Sequence, residues 1–436
     1  MKVHLSSVLV AILQVISPSL AVSSSSSSAA AAAAAATTTT TSNSPKWLSH
    51  VDCNLQEKYV KLAEQRHVEA IQTALDHYPT DDSKYLPDED TRQQTTAFLA
   101  SLKFNKYRIN APGNLPDYHD ELMVTSGDDK KLGGVAAAAP VFVTRPETPL
   151  FTKKECRDVI EMAESYFEGD NKEWPKLPSG QYHIQGFWIK DVPTVREWFT
   201  KMCKGRLFPL LRQQFPDFVD DIEDLVVDQA YLFKYIPKPG LRTEIHTDAG
   251  CLSFTFALNE KEEYEGGGTW VEGLESIDDE TNSHIDGCTI EMDVGQCTVR
   301  PGGIRHAGNP LTKGTRYIIG GFCMSKKRVE IVRQLLGCDD NEGREVAIKL
   351  NPAFDGAYPN VAHHYESNGD TDKAVQVLQD CLRLANPQST AASYYLGTIF
   401  YNQGKYEKAE QCMMTCLRVD PHDGDAMGTL AQIFSC

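Results

Sequence analysis

The sequence predicts an α+β multidomain chain: a β-rich unit of jelly-roll or sandwich type with flanking helices, followed by an all-α segment of helical repeats. Three observations predict it. Between residues 225 and 322, short alternating apolar runs are separated by Gly and Pro clusters, the texture of many short strands joined by turns. In the last eighty or so residues the chain repeats itself: Gly369 and Gly404, Ala374 and Ala409, and Cys381 and Cys416 are each 35 apart. The length, 436 residues, exceeds what one domain usually needs.

The elements follow in order. Residues 1–4 are weakly basic, residues 5–16 are apolar, and Ser19-Leu20-Ala21 offers small residues at a cleavage spacing. Residues 1–21 are therefore expected as a signal peptide, with no transmembrane anchor left after cleavage. Residues 22–50 are a low-complexity spacer of Ser, Ala and Thr blocks. Residues 51–139 form a helical and loop-rich N-terminal region, where Leu55, Tyr59, Leu62, Ala63, Val68, Ile71 and Leu75 recur at helical spacing.

The β-rich unit is expected over 140–325. Thr152, with Glu155 three residues on, reads as a capping box that opens a helix. Leu252, Phe254, Phe256 and Leu258 share one face of a strand, and Ser253, Thr255 and Ala257 the other. Residues 326–355 read as a helical linker. Residues 356–436 then carry the repeats, whose small residues sit where paired helices cross; Leu396-Gly397, Gly404, Ala409 and Pro421 fit the tetratricopeptide pattern. The third unit stops after its first helix, so the array leans on the rest of the chain or on a partner. Cys381, Cys412 and Cys416 read as helix packing.

Composition narrows the function classes. Lys+Arg is 43 and Asp+Glu is 60, and a net charge of −17 excludes a general nucleic-acid binder, which needs a basic footprint. Twelve Cys are too sparse for a disulfide scaffold. No Asn-X-Ser/Thr sequon occurs, so N-glycosylation is not expected.

Two His and one carboxylate can hold a non-haem iron on one face, and their trace is His-X-Asp followed by a distal His. Three such triplets occur, at His50, His246 and His284, where about one is expected by chance from the His and Asp content. His50 follows the spacer, and His284 lies in a polar, acidic stretch. His246-Thr247-Asp248 follows the β-like run 231–235 and precedes the strand 252–258. Gly266-Gly267-Gly268-Thr269-Trp270, His306 and Arg316 come after it, in that order.

This order resembles the Fe(II)/2-oxoglutarate dioxygenases of the prolyl- and lysyl-hydroxylase type, over about residues 141–323. The stretch from His306 to Tyr317 looks like that family's closing signature, a distal His followed ten residues later by a basic residue. The resemblance implies a double-stranded β-helix with His246, Asp248 and His306 as catalytic iron ligands. It implies Arg316 holding the 2-oxoglutarate C5 carboxylate through paired hydrogen bonds, with the Tyr235 hydroxyl assisting. Fe(II), 2-oxoglutarate, O2 and ascorbate are the implied cofactors, and succinate and CO2 the coproducts.

The expected substrate is a polypeptide, with proline as first choice and lysine as the alternative. In the collagen-type prolyl hydroxylases a repeat of this kind precedes the catalytic domain; here it follows. A catalytically inactive interaction protein is the remaining reading, with the repeats binding a protein partner or a second copy. The leader places the chain in the secretory pathway, with the endoplasmic reticulum lumen first and the Golgi or secretion as alternatives.

Overall fold

The structure is a computed structural model that describes residues 45–109, 141–169, 173–179, 182–238, 242–248, 250–276 and 289–435, single positions 86, 339 and 422 apart. The expected signal peptide, most of the spacer and the triplet at His284 lie outside the described residues.

Helix α1 (Cys53–His77) starts where Asp52 accepts the Leu55 N–H. It buries Tyr59, Ala63, His67 and Ala74. Val68, expected on the apolar face, is 68% exposed. The inward stripe steps from Ala63 to His67, so an imidazole takes the place the pattern gave to an aliphatic residue. The helix spans two cores. Tyr59 and Ala63 pack with the helical repeats, and Ala74 packs with Val226 and Met324 of the sheet.

Helix α2 (Glu89–Ser101), β1 (Phe104–Ile109) and β2 (Val141–Thr144) follow. Helix α3 (Lys153–Gly169) opens with the expected capping box: Glu155 N–H donates to Thr152 Oγ1 at 3.2 Å, and Thr152 N–H donates to Glu155 Oε2 at 2.8 Å. Strands β3 (Lys176–Ser179) and β4 (Tyr182–Trp188) lead to α4 (Pro193–Met202) and α5 (Phe208–Gln214). A run of strands comes next: β5 (Leu225–Tyr235), β6 (Leu252–Ala257), β7 (Tyr264–Gly266), β8 (Thr269–Val271), β9 (Leu274–Ser276), β10 (Thr289–Ile290), β11 (Cys297–Pro301), β12 (His306–Gly308), β13 (Leu311–Gly314) and β14 (Arg316–Ser325).

Nine strands form one sheet in the order β3-β4-β5-β14-β6-β11-β2-β1-β9, and β10-β8-β12 and β13-β7 form two smaller sheets. Strand β6 is buried on both faces. Leu252, Phe254 and Phe256 join a core with Val159, Ala163 and Phe199 of the helices. Ala257 on the opposite face packs with Val271, Ile290 and Ile304 of the small sheet and its approach. Strand β6 and the small sheet therefore share an interior, and the site described below lies beside it.

Beyond β14 the chain is helical: α6 (Ile331–Leu336), α7 (Asn341–Leu350), α8 (Tyr358–Ser367), α9 (Thr371–Asp380), α10 (Thr390–Asn402), α11 (Tyr406–Val419) and α12 (Gly424–Ile433). Leu335 and Val346 share one core with Val361, Leu378, Ile399 and Met413. The 35-residue repeat has a backbone cause: Gly369 and Gly404 each end a first helix at positive φ, 84° and 69°. A Cβ on Gly397 would come 2.6 Å from Met413 Cε, so that helix pair crosses closely because Gly carries no side chain. Cys381 and Cys416 are buried in this core.

Among the described residues, no helix is long and apolar enough to cross a membrane.

Candidate metal centre

His246 lies between β5 and β6 in a segment without regular structure, and one antiparallel bridge to His306 fixes it. Each backbone N–H donates to the other residue's carbonyl at 3.0 Å. The two rings lie 4.4 Å apart, centroid to centroid. Asp248 is held by its N–H donating to the Gly302 carbonyl at 2.9 Å. That approach needs a glycine, since a Cβ on Gly302 would fall 1.9 Å from the Gly250 carbonyl oxygen.

The side chains converge. Nδ1 of His246 meets the Glu244 carbonyl at 2.7 Å, and Nδ1 of His306 meets the Ile304 carbonyl at 3.0 Å. A carbonyl only accepts, so each Nδ1 carries the proton and each Nε2 turns its lone pair inward. Asp248 Oδ1 lies 3.6 Å from both Nε2 atoms. One donor atom from each residue lies within 4.8 Å of the others. Two neutral imidazoles and a carboxylate around one point are the donor set for a divalent transition metal.

Electrostatics agree with that donor set at Asp248 and His306, while at His246 they favour the protonated ring. Burial alone would raise the Asp248 carboxyl, but His306, His246 and Arg300 hold it well below the usual carboxylate range. Burial and the Arg300 charge push the His306 imidazole down to about 3, so it stays neutral at pH 7. Burial lowers His246, but the hydrogen bond and charge of Asp248 outweigh it and raise the net value. The side chains of Asp248 and His306 are 9% and 8% accessible, and that of His246 is 44% accessible, so the open side of the group lies at His246.

Arg316 opens β14, opposite Tyr235 in register. It is buried, donates to the Gly268 carbonyl at 3.2 Å, and leaves Nε without a partner. Among the described residues no carboxylate pairs with it. Gly266, Gly267 and Gly268 have φ of 78°, 75° and 90°, which only glycine adopts readily, and a Cβ on Gly267 would press Arg316 Cδ at 3.3 Å. The glycine run thus wraps a buried guanidinium with donor capacity to spare. Tyr235 is buried and its hydroxyl approaches Gly308, two residues past His306, so closely that a Cβ there would be 2.9 Å away.

The triplet at His50 does other work. His50 Nε2 meets Glu345 at 2.7 Å, and the Asp52 carboxylate caps α1. One charged residue escaped the sequence reading. Arg300 on β11 is buried; its Nη2 lies 3.2 Å from Asp248 Oδ2 and 2.8 Å from His306 Nε2, and its Nη1 donates to Thr255 Oγ1 at 3.3 Å. The signal was there: a lone charge in the apolar run Cys297-Thr298-Val299-Arg300-Pro301, which sits opposite β6.

Comparison with known proteins adds to this geometry. The chain is 29% identical over 191 residues to procollagen-lysine,2-oxoglutarate 5-dioxygenase 1 of Rattus norvegicus, covering 40% of this chain and 23% of the relative. It is similar to the procollagen-lysine dioxygenases over two-fifths of its length. The multifunctional procollagen lysine hydroxylase and glycosyltransferase of Caenorhabditis elegans is 28% identical over 185 residues, with the same coverage. The chain spans about a quarter of the length of these curated relatives. Residues 366–433 match the tetratricopeptide repeat family. A solved structure, the Arabidopsis OM64 TPR domain, aligns with 22% of this chain and 78% of its own at 20% identity, with a TM-score of 0.21. These relatives are named for lysine, so the comparisons do not favour the prolyl choice over the lysyl one. The motif around His306 suits both, which is why the sequence did not separate them.

Proposed function

We propose that this chain is an Fe(II)- and 2-oxoglutarate-dependent hydroxylase of polypeptide side chains, with lysine as the target residue. The observation that carries the proposal is the convergence of His246 Nε2, Asp248 Oδ1 and His306 Nε2, three ligand atoms within 4.8 Å of one another. In this reading the nine-stranded sheet and the small sheet carrying His306 make up a double-stranded β-helix.

His246, Asp248 and His306 would hold the metal on one face. Bound Fe(II) would supply the site where O2 and 2-oxoglutarate react, giving succinate and CO2 and placing one oxygen atom on the substrate. Arg316 would anchor the distal carboxylate of 2-oxoglutarate, for which a buried guanidinium with an unpartnered Nε and no acidic partner among the described residues is suited. Tyr235, facing Arg316 across the strands, would add a hydroxyl. Burial of Arg316, Tyr235 and His306 keeps water away from the cosubstrate. Beyond Tyr235, Phe233 and Tyr231 continue along β5, and the Trp188 ring lies 4.5 Å from Tyr231, tilted by 48°. This aromatic row suits an extended polypeptide laid past the metal. The repeats would bind further parts of that chain. The leader supports residence in the secretory pathway, and we assign the endoplasmic reticulum lumen.

The test is mass spectrometry of a peptide library, containing both Lys and Pro, incubated with protein, Fe(II), 2-oxoglutarate and ascorbate. Gain of one oxygen on Lys is expected. Gain on Pro alone would replace lysine by proline, and no gain on any peptide would favour the interaction-protein reading.

A further inference from the structure

The described residues of segment 236–251 carry two of the three candidate ligands, and among them the one ladder contact is the bridge at His246. Backbone hydrogen bonds from Thr243, His246, Asp248 and Cys251 tie it to the β-rich unit. One tie comes from outside the β-rich unit. Arg242, four residues before His246, forms an ion pair with Asp420, at the end of α11 in the helical array; the two side chains are only 10% and 7% accessible. The neighbouring Thr243 clasps β12: its N–H donates to the Gly308 carbonyl at 3.2 Å, and its Oγ1 accepts from the Gly308 N–H. The clasp therefore joins the segment of His246 to the strand of His306, next to the arginine that the array holds.

The second candidate histidine has a matching tie. Arg305, directly before His306, donates to Glu272 at 2.7 Å and to Asp355 at 3.2 Å. Glu272 belongs to the turn after β8, and its own N–H donates to the Arg305 carbonyl at 3.0 Å. Asp355 belongs to the array, where Asn386 Nδ2 also donates to its Oδ2 at 2.8 Å. Arg305 is thus anchored on both sides, once at the turn after β8 and once at Asp355, which Asn386 of the repeats also holds.

We infer that Asp420 and Asp355 are positioning residues for the metal centre, each holding, through an arginine, the backbone that carries one of its histidines. The inference rests on the metal-binding reading above. It makes the helical array a working part of the centre as well as a surface for protein binding. Neither aspartate belongs to the ligand set; each acts through a charge-assisted hydrogen bond in a water-poor contact. Outer partners of metal ligands typically change affinity about 10- to 100-fold when removed.

The experiment uses the full chain stripped with chelator and titrated with Co(II), read by the visible ligand-field absorption of the bound ion, alongside thermal melts. Asp420→Asn and Asp355→Asn are expected to weaken Co(II) about 10- to 100-fold while a cooperative melt remains. The exchange Arg242→Asp with Asp420→Arg is expected to recover most of that loss, which a general packing defect would not. Affinity in both Asn variants equal to wild type would overturn the inference. If Asp420→Asn does not melt cooperatively, Asp355→Asn decides alone by the same two results. Wild type that binds Co(II) no better than His246→Ala would refute the metal reading and this inference together. Sound wild-type binding with unchanged Asn variants would refute this inference only.

Discussion

Arg300 donates to Asp248 Oδ2 at 3.2 Å and leaves Oδ1 as the oxygen that faces both histidines, 3.6 Å from each Nε2. The carboxylate is thereby turned so that one oxygen is engaged and the other is presented. Arg300→Gln should weaken Co(II) or Fe(II) binding about 10- to 100-fold, the usual effect of losing a ligand's hydrogen-bond partner. Titration of the metal-free protein measures this. An unchanged affinity would mean that the backbone alone orients Asp248.

Arg316 has spare donors and no acidic partner among the described residues. Arg316→Gln should raise the 2-oxoglutarate concentration needed for half-maximal succinate formation about 10- to 100-fold, since a charge-assisted bond contributes roughly 1.5–3 kcal/mol. Arg316→Lys should lie between, because it keeps the charge but loses the planar fork. Steady-state kinetics in 2-oxoglutarate, at saturating peptide, separates these outcomes.

The triad was legible in the sequence because strand order and turn chemistry leave their mark in one dimension. His246, Asp248, the glycine run, His306 and Arg316 come in order, and the fold brings them together. Arg300 was less legible, since one charge in a short apolar run carries no spacing signal. The ties from Asp420 and Asp355 were not legible at all, because Arg242 and Asp420 are 178 residues apart and neither stands in a motif. In α1 the periodicity pointed to Val68, but tertiary packing buried His67 instead. Lysine against proline was not legible either, since the motif reports how iron and cosubstrate are held and carries no contact with the substrate side chain.

Gly302→Ala should damage the centre through the backbone. Its Cβ would fall 1.9 Å from the Gly250 oxygen, so the turn after β11 must shift, and the Asp248 N–H bond to the Gly302 carbonyl shifts with it. A loss of roughly 1–3 kcal/mol of stability is expected, with metal binding weakened further. Urea unfolding and metal titration on the same sample check both effects; wild-type behaviour in both would show that the loop yields freely.

Glu330 gives a pH dependence apart from the metal ligands. Burial pushes its carboxyl up to about 7, against the pull of Arg333, and Asp228 adds to the rise. A carboxyl raised in the folded state holds its proton more tightly there than in the unfolded chain. Its stabilising effect is therefore full below about pH 4 and is lost as pH rises towards 7. Glu330→Gln should remove that loss. The variant should gain on wild type by about 1–3 kcal/mol between pH 4 and pH 8. Thermal melts of both proteins across that range measure the gap; parallel profiles would refute it.

His246, Asp248 and His306 are proposed to form an iron site that turns over 2-oxoglutarate. Succinate formation by metal-stripped protein, with Fe(II) restored under air, tests it most directly. Succinate is expected from wild type only when Fe(II) and O2 are both present, with none from His246→Ala. Equal succinate from His246→Ala, or none from reconstituted wild type, would contradict it.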